Sequence, residues 1–382
     1  MHVSMIRWTL LSAVLWSATL SAVTFDGVPP PPALEVKSYV LLDFTTGEVI
    51  AEQNADTQVE PASLTKIMTV YSVADGLRKG LIKLEDRPVV SEHAWKQEGS
   101  RMFIEVGKDV SVSELLHGDI IQSGNDASVA LAEHLSGTEE VFATVMNEHA
   151  KQLGMNSSSF ANSTGLPNPG TYTTARDMAT LARAVITEFP EIYKLFSMPE
   201  YTYNGITQHN RNGLLGKDPT VDGMKTGFTD AAGYCLVASA KRDGMRLVSV
   251  VMGAASDGAR TQASQALLNY GFRFFESRQL YAAKAAVATG RVWEGEVDEV
   301  SVGLAEDLVM LLPRGDLEDT LKVVAELQKP LRAPLKERQE VGEMRITWKD
   351  KPVRRLPLVT LTPVAEGSWM KRAIDAAKLM ME

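Results

Sequence analysis

Three short motifs stand in fixed order along the chain: Ser63-Leu64-Thr65-Lys66, Ser123-Gly124-Asn125 and Lys225-Thr226-Gly227. A fold that uses them together must bring distant segments to one point. Their surroundings differ. Pro61 and Ala62 introduce a helix starting near Ser63, and its residues Ile67, Met68, Val70, Tyr71, Val73 and Ala74 are apolar nearly all round, so it belongs inside a domain. Ser123 to Asn125 interrupt two helical patterns, one through Val112, Leu115, Leu116, Ile120 and Ile121, the other through Val129, Ala130 and Leu131. Lys225 to Gly227 read as part of a strand. The fold must therefore pack a helix start, an interhelical loop and a strand against one another.

The residue types suit nucleophilic catalysis. One helical turn sets Lys66 beside Ser63 on the same face. A serine hydroxyl attacks poorly until a neighbouring base takes its proton, and an amine among apolar residues can do so because burial lowers a lysine pKa. The tetrad alone says little, since Ser368-Trp369-Met370-Lys371 repeats it in the tail, where no catalysis is assigned. SxN and KTG occur once each. Ser123 can pass a proton between Lys66 and a leaving amine, while the Asn125 amide can orient Lys66 and hold substrate backbone. Lys225 and the Thr226 hydroxyl offer positive potential and a donor to a free carboxylate, and Gly227 lets substrate backbone lie against the strand. The helix start at Ser63 and the backbone N–H of Phe228 are candidate oxyanion donors. The need for a free carboxylate points to an exopeptidase. Any one of these serines or lysines alone is more often structural or solvated; the ordered trio reverses that reading.

The trio resembles the set shared by penicillin-binding proteins and class A β-lactamases. Longer stretches are similar to the low-molecular-mass D-alanyl-D-alanine carboxypeptidases: EQNAD from Glu52, PASLTKIMT from Pro61, QSGNDA from Gln122, ARDMA from Ala175, NRNGLL from Asn210, VDGMKTGFTDAAGY from Val221 and GFRFFE from Gly271. The resemblance implies a β-lactamase/transpeptidase-like α/β fold, acylation of Ser63 by a terminal D-alanyl-D-alanine, release of the last D-alanine, and hydrolysis by water. It also implies that Arg211 helps Lys225 and Thr226 hold the substrate carboxylate, with a solvated loop arginine as the alternative. Two departures stand out. Phe228 occupies a position where such relatives often carry histidine, so deacylation rate or substrate preference is expected to differ. Residues 94–101 form a shorter stretch, so a loop bordering the cleft is expected to be trimmed. A class A β-lactamase needs a carboxylate to activate water, and no Asp or Glu lies between Glu148 and Asp177, so lactamase activity is expected to be weak. The six histidines form no HExxH spacing and GxSxG is absent, so neither a metal nor another cofactor is expected. An endopeptidase acting on cross-links and a non-catalytic cell-wall scaffold stay open as alternatives.

At 382 residues, with 45% hydrophobic and 23% charged, the chain suits two globular domains. Hairpin strands at 38–44 and 48–52, helices at 139–153 and 174–189, strands at 233–240 and 246–253 and a helix from 259 to about 275 describe an α/β domain around an antiparallel sheet over residues 38–280. Short strands at 291–293, 308–312, 321–327 and 345–348 suit a small β-sandwich domain over 281–366. The net charge of -9 argues against a nucleic-acid partner. Cys235, the sole cysteine, reads as a packed, inert thiol in a strand. Residues 1–22, with Arg7, an apolar run from Trp8 to Leu20 and small Ser21 and Ala22, read as a secretory signal, followed by a leader over 23–37 stiffened by Pro29 to Pro32.

Helical spacing over 368–382 sets Trp369, Met370, Ala373, Ile374, Ala376, Ala377, Met380 and Met381 on one face, with Lys371, Arg372, Asp375, Lys378 and Glu382 on the other and Leu379 as an intruder. Such a helix is about 22 Å long and fits a membrane interface rather than a span; docking on the β domain is the alternative. The implied partners are a peptidoglycan stem peptide ending in D-Ala-D-Ala, β-lactams as covalent inhibitors and a membrane surface, with a homodimer left open. The implied place is the periplasm, at the inner membrane.

Overall fold

The computed structural model describes Phe25, residues 27–315 and residues 320–381; the signal sequence expected at 1–22 and Glu382 lie outside the described residues. β1 (Ser38–Asp43) and β2 (Val49–Gln53) form the expected hairpin, and a 3-10 turn at Ala62–Leu64 runs into α1 (Thr65–Arg78). Next come α2 (Glu92–Trp95), α3 (Val112–Ile121), α4 (Asn125–Ser136), α5 (Glu139–Gln152), α6 (Ala175–Glu188) and α7 (Pro190–Tyr193). A small hairpin of β3 (Glu200–Tyr203) and β4 (Ile206–His209) precedes β5 (Val221–Thr229), β6 (Gly233–Arg242), β7 (Met245–Ala254) and α8 (Asp257–Phe274).

The central sheet is antiparallel throughout, in the order β2-β1-β7-β6-β5. Period-2 alternation divides its side chains between two cores: Val40 and Leu42 of β1 join the core formed with α1 and α3 to α6, whereas Tyr39 and Leu41 join the core beneath α8. Both faces are covered, which is why β1, β6 and β7 read as nearly continuous apolar runs. α3 starts on a capping box between Ser111 and Glu114, α6 on Thr174 and α8 on Ser256. The Ser256 cap starts α8 two residues before the expected position.

β8 (Phe275–Tyr281), β9 (Ala286–Trp293), β10 (Glu299–Gly303), β11 (Leu308–Pro313), β12 (Leu321–Leu327), β13 (Leu331–Arg332), β14 (Glu340–Trp348) and β15 (Lys351–Thr360) enclose a third core, and α9 (Trp369–Leu379) ends the chain. The larger sheet runs β12-β14-β15-β10-β9-β13, while β8 pairs with β11.

Some strands were hidden from sequence reasoning. β15 carries Pro352 and Pro357, which ordinarily argue against a strand interior. It accommodates them because its second neighbour, β10, pairs only at Val359 and Thr360, leaving the proline-bearing part as an edge. β3 and β4 are short, polar and largely exposed, so no hydrophobic alternation marks them.

Candidate active site

The 3-10 turn bearing Ser63 packs directly against β5, and glycine makes this approach short enough. A Cβ at Gly227 would stand 2.9 Å from the Pro61 carbonyl oxygen and 3.1 Å from the Leu64 nitrogen. Gly227 lines the cleft, and the structure gives it a reason the sequence analysis did not: β5 must touch the turn that carries the serine. Gly165 plays the same part from the loop before α6. Its φ is +77°, and a Cβ there would lie 1.9 Å from the Ala62 carbonyl oxygen. The third approach comes from the loop between α3 and α4. Ser123 has φ 60°, and the Gly124 N–H donates to the Gly118 carbonyl at 3.0 Å, so the chain reverses tightly and starts α4 at Asn125.

These approaches bring the three motifs together. Lys66 is fully buried, and its Nζ donates to Asn125 Oδ1 and to the Thr164 carbonyl, both at 2.7 Å. Burial is the largest influence on this amine and lowers its pKa to about 8; Arg211 adds to the lowering, while Asp119, Asp126 and Glu139 oppose it. A neutral amine has two hydrogens and one lone pair. With both hydrogens given to Asn125 and Thr164, a neutral amine keeps a lone pair that can take a proton. The Asn125 amide is itself fixed, donating to the Glu98 carbonyl at 2.6 Å.

Lys225 is also buried, and its Nζ donates to Ser123 Oγ at 2.8 Å and to the Thr226 carbonyl at 3.1 Å. Ser123 thus accepts from one lysine while keeping its own proton to give. Burial and then the neighbouring Lys66 push the Lys225 pKa down, with Asp119 acting in the opposite sense.

Ser63, Ser123, Thr226, Gly227, Phe228 and Arg211 line one cleft of about 350 Å³, together with Gly99, Ser100 and Arg260. Lys66, Asn125 and Lys225 are buried and do not line it; Lys225 touches it through Ser123 and Thr226. Arg211 donates from NH1 to Ser100 Oγ at 2.7 Å, and its pKa is lowered by burial and by Arg260. Phe228 is half exposed at the rim, its ring 4.3 Å from that of Tyr234. The wall at 98–104 is tied to the start of α4: the Asn125 N–H donates to the Ser100 carbonyl at 2.7 Å, and the Asp126 carboxylate accepts from the N–H groups of Met102, Phe103 and Ile104.

Four contributors were missed in the sequence. The Thr164 and Glu98 carbonyls carry no residue signature, because every residue has one. Arg260, on α8, donates from NH1 to the Gly227 carbonyl at 3.0 Å and to the Cys235 carbonyl at 3.2 Å, and pairs with Asp257. Asp119, one turn before Ser123, is fully buried close to the lysines. The loop searched for a water-activating carboxylate supplies the Thr164 carbonyl instead, while Glu139 reaches in from α5 to accept from Ser163 N and Oγ at 2.9 and 2.6 Å.

Ser72, His149 and Asp75 also make a serine, histidine and aspartate chain, with contacts of 3.0 and 3.1 Å. All three are buried on α1 and α5 and none lines the cleft, so they serve packing rather than chemistry. Cys235 is buried as well, and burial pushes its thiol up to about 11.

Comparison with known proteins matches residues 26–256 to the family model "D-alanyl-D-alanine carboxypeptidase" and residues 275–366 to "Penicillin-binding protein 5, C-terminal domain". The D-alanyl-D-alanine carboxypeptidase DacC of Escherichia coli (strain K12) is 42% identical over 372 residues, covering 95% of this chain and 93% of its own. DacA of the same strain is 39% identical, covering 97% and 95%. Among solved structures, penicillin binding protein 5 from Haemophilus influenzae superposes with a TM-score of 0.83 at 39% identity, over 88% of this chain and 100% of that one.

Proposed function

The chain belongs to the family of D-alanyl-D-alanine carboxypeptidases, serine-type hydrolases that bind penicillin, and we propose that Ser63 is the residue its substrate acylates. In this reading Ser63 Oγ attacks the carbonyl joining the last two D-alanines, Lys66 takes the hydroxyl proton, and the N–H groups of Ser63 and Phe228 hold the oxyanion. Ser123 hands its proton to the departing D-alanine amine and takes in its place the proton that Lys66 holds, so that Lys66 is neutral again. Water then attacks the ester, giving a proton to Lys66, which passes it to Ser63 Oγ as the shortened stem peptide leaves. Arg211, Thr226 and Lys225 hold the substrate's free carboxylate.

The observation that carries the reading is the Lys66 amine: it is fully buried, and when neutral its two hydrogens go to Asn125 and Thr164, which leaves a lone pair that can take a proton. The test is release of free D-alanine from a disaccharide pentapeptide, with a cross-linked dimer as a parallel substrate. Release from the pentapeptide by the intact protein, lost in Ser63→Ala, is the expected result. Cleavage of the dimer alone would move the assignment to an endopeptidase, and undiminished release by Ser63→Ala would remove Ser63 from the reaction.

The proposed division of the chain is a catalytic domain at 38–280, a β domain at 281–366 and a terminal anchor helix from 367, with the signal at 1–22 removed on export to the periplasm. Support for the anchor comes from which face of α9 is free. Trp369 is 73% exposed, Met380 88%, and Met370 and Ile374 are about half exposed. The polar face is engaged instead: Lys371 pairs with Asp298, Arg372 with Glu366, and the Asp375 carboxylate accepts from the Glu294 N–H at 2.9 Å. An apolar face turned to solvent by a helix docked on its polar side fits insertion into a membrane surface. Among the described residues no helix is long and apolar enough to cross a membrane.

A further inference from the structure

The cleft is polar except at one place. Among the described residues that line it, glycines aside, every side chain but one bears a hydroxyl or a guanidinium, and the exception is the ring of Phe228. This half-exposed ring is the apolar surface that the cleft offers to a ligand. It is held firmly. Phe228 and Tyr234 stand opposite each other on β5 and β6, with their ring centroids 4.3 Å apart. Behind them lies Arg260, whose Cζ sits 5.4 Å from the centroid of the Tyr234 ring. That guanidinium is fixed in turn by the Gly227 and Cys235 carbonyls and by Asp257. A guanidinium and two rings therefore back one side of the cleft.

Strand geometry decides what this layer faces. Side chains alternate along β5, and positions 225 and 227 face the helices: the Lys225 amine meets Ser123, and Gly227 abuts the turn that carries Ser63. Thr226 and Phe228 share the other face, about 7 Å apart. In the proposed reaction Thr226 and Arg211 hold the free carboxylate, and the Phe228 N–H holds the oxyanion of the bond that breaks. The residue that leaves joins these two points, so it lies along β5 between Thr226 and Phe228. Of its two flanks, one meets the Ser123 hydroxyl and the other the Phe228 ring.

We infer that Phe228, braced by Tyr234, is a specificity-determining residue: its ring borders the side chain of the departing D-residue and selects an apolar one over a polar one. This rests on the carboxypeptidase reading of Ser63 and deepens it. The backbone N–H of Phe228 serves every substrate alike, whereas the ring acts only through what it touches. The cleft thereby takes terminal D-alanine, and slightly longer apolar D-residues, ahead of a terminal D-serine.

The experiment measures kcat/KM of the full-length protein for release of the last residue from synthetic acyl tripeptides ending in D-Ala-D-Xaa. Xaa is D-2-aminobutyrate or D-serine, which differ only by a methyl in place of a hydroxyl. The unaltered protein is expected to favour D-2-aminobutyrate by roughly tenfold. Phe228→Ser is expected to bring that ratio down to about two or less, while Phe228→Leu, which stays apolar, keeps most of it and Tyr234→Ala loses part. A weakened oxyanion contact in any variant divides out of the ratio, because it acts on both peptides. A ratio near one in the unaltered protein overturns the inference whether or not the variants fold, and so does a ratio that survives in folded Phe228→Ser. Release from neither peptide, or undiminished release by Ser63→Ala, overturns instead the reading on which the inference rests, so the two failures are distinct.

Discussion

Ser63 stands three residues before a fully buried amine, that of Lys66. The burial of Lys66 was legible because the residues around it in the sequence are apolar nearly all round. The pairing of the Asn125 amide with Lys66 was legible from the ordered motifs rather than from spacing. The Thr164 carbonyl was not, and neither was Arg260, whose link to Gly227 depends on how α8 lies on the sheet. The pKa of Lys66, lowered to about 8, fixes a sign. Only the neutral amine accepts the hydroxyl proton, so acylation by benzylpenicillin is expected to rise with pH through about 8 and then flatten. Lys66→Arg keeps a cation that cannot deprotonate, and is expected to acylate roughly 10²- to 10⁴-fold more slowly at every pH. A stopped-flow or quenched-flow series checks both, and a profile flat from pH 6 to 9 in the unaltered protein would contradict the assignment of the base.

At the scale of elements, the site depends on how closely three loops and a strand approach, and here side-chain chemistry in the sequence is a poor guide. Gly227 stood out because it ends a motif; Gly165 did not, although a Cβ there meets a backbone oxygen at 1.9 Å. Close packing between loops leaves no periodic signal, whereas the capping residues Ser111, Thr174 and Ser256 and the buried runs of β1, β6 and β7 do. The polar β3 to β4 hairpin and the proline-bearing β15 escaped for the same reason, since neither shows alternation. Gly165→Ala adds a methyl at φ +77° against the turn that carries Ser63. It is expected to lower stability by at least about 2 kcal/mol, and to slow acylation in the fraction that folds. Thermal melting alongside the acylation rate checks this; unchanged values for both would mean that the loop is free to move aside.

For the whole molecule, the two match regions at 26–256 and 275–366 follow the division into a helix-covered antiparallel sheet and an all-β unit that the patterning suggested. The orientation of α9 was only half legible: helical spacing separates two faces, but does not say which one the β unit holds. Docking through Lys371, Arg372 and Asp375 leaves Trp369, Met370, Ile374 and Met380 outward. Deleting residues 368–382 is therefore expected to shift the protein from the membrane fraction to the soluble fraction without loss of penicillin acylation; a truncated protein that still pellets with membranes would contradict the anchor. The deepest dependence is that residues far apart in the chain meet in one cleft. The most direct measurement is intact-mass spectrometry of the full-length protein after exposure to benzylpenicillin, followed by peptide mapping of the adduct. One penicilloyl group per chain, carried on Ser63 and missing from Ser63→Ala, is the expected result; no adduct, or an adduct on another residue, would contradict it.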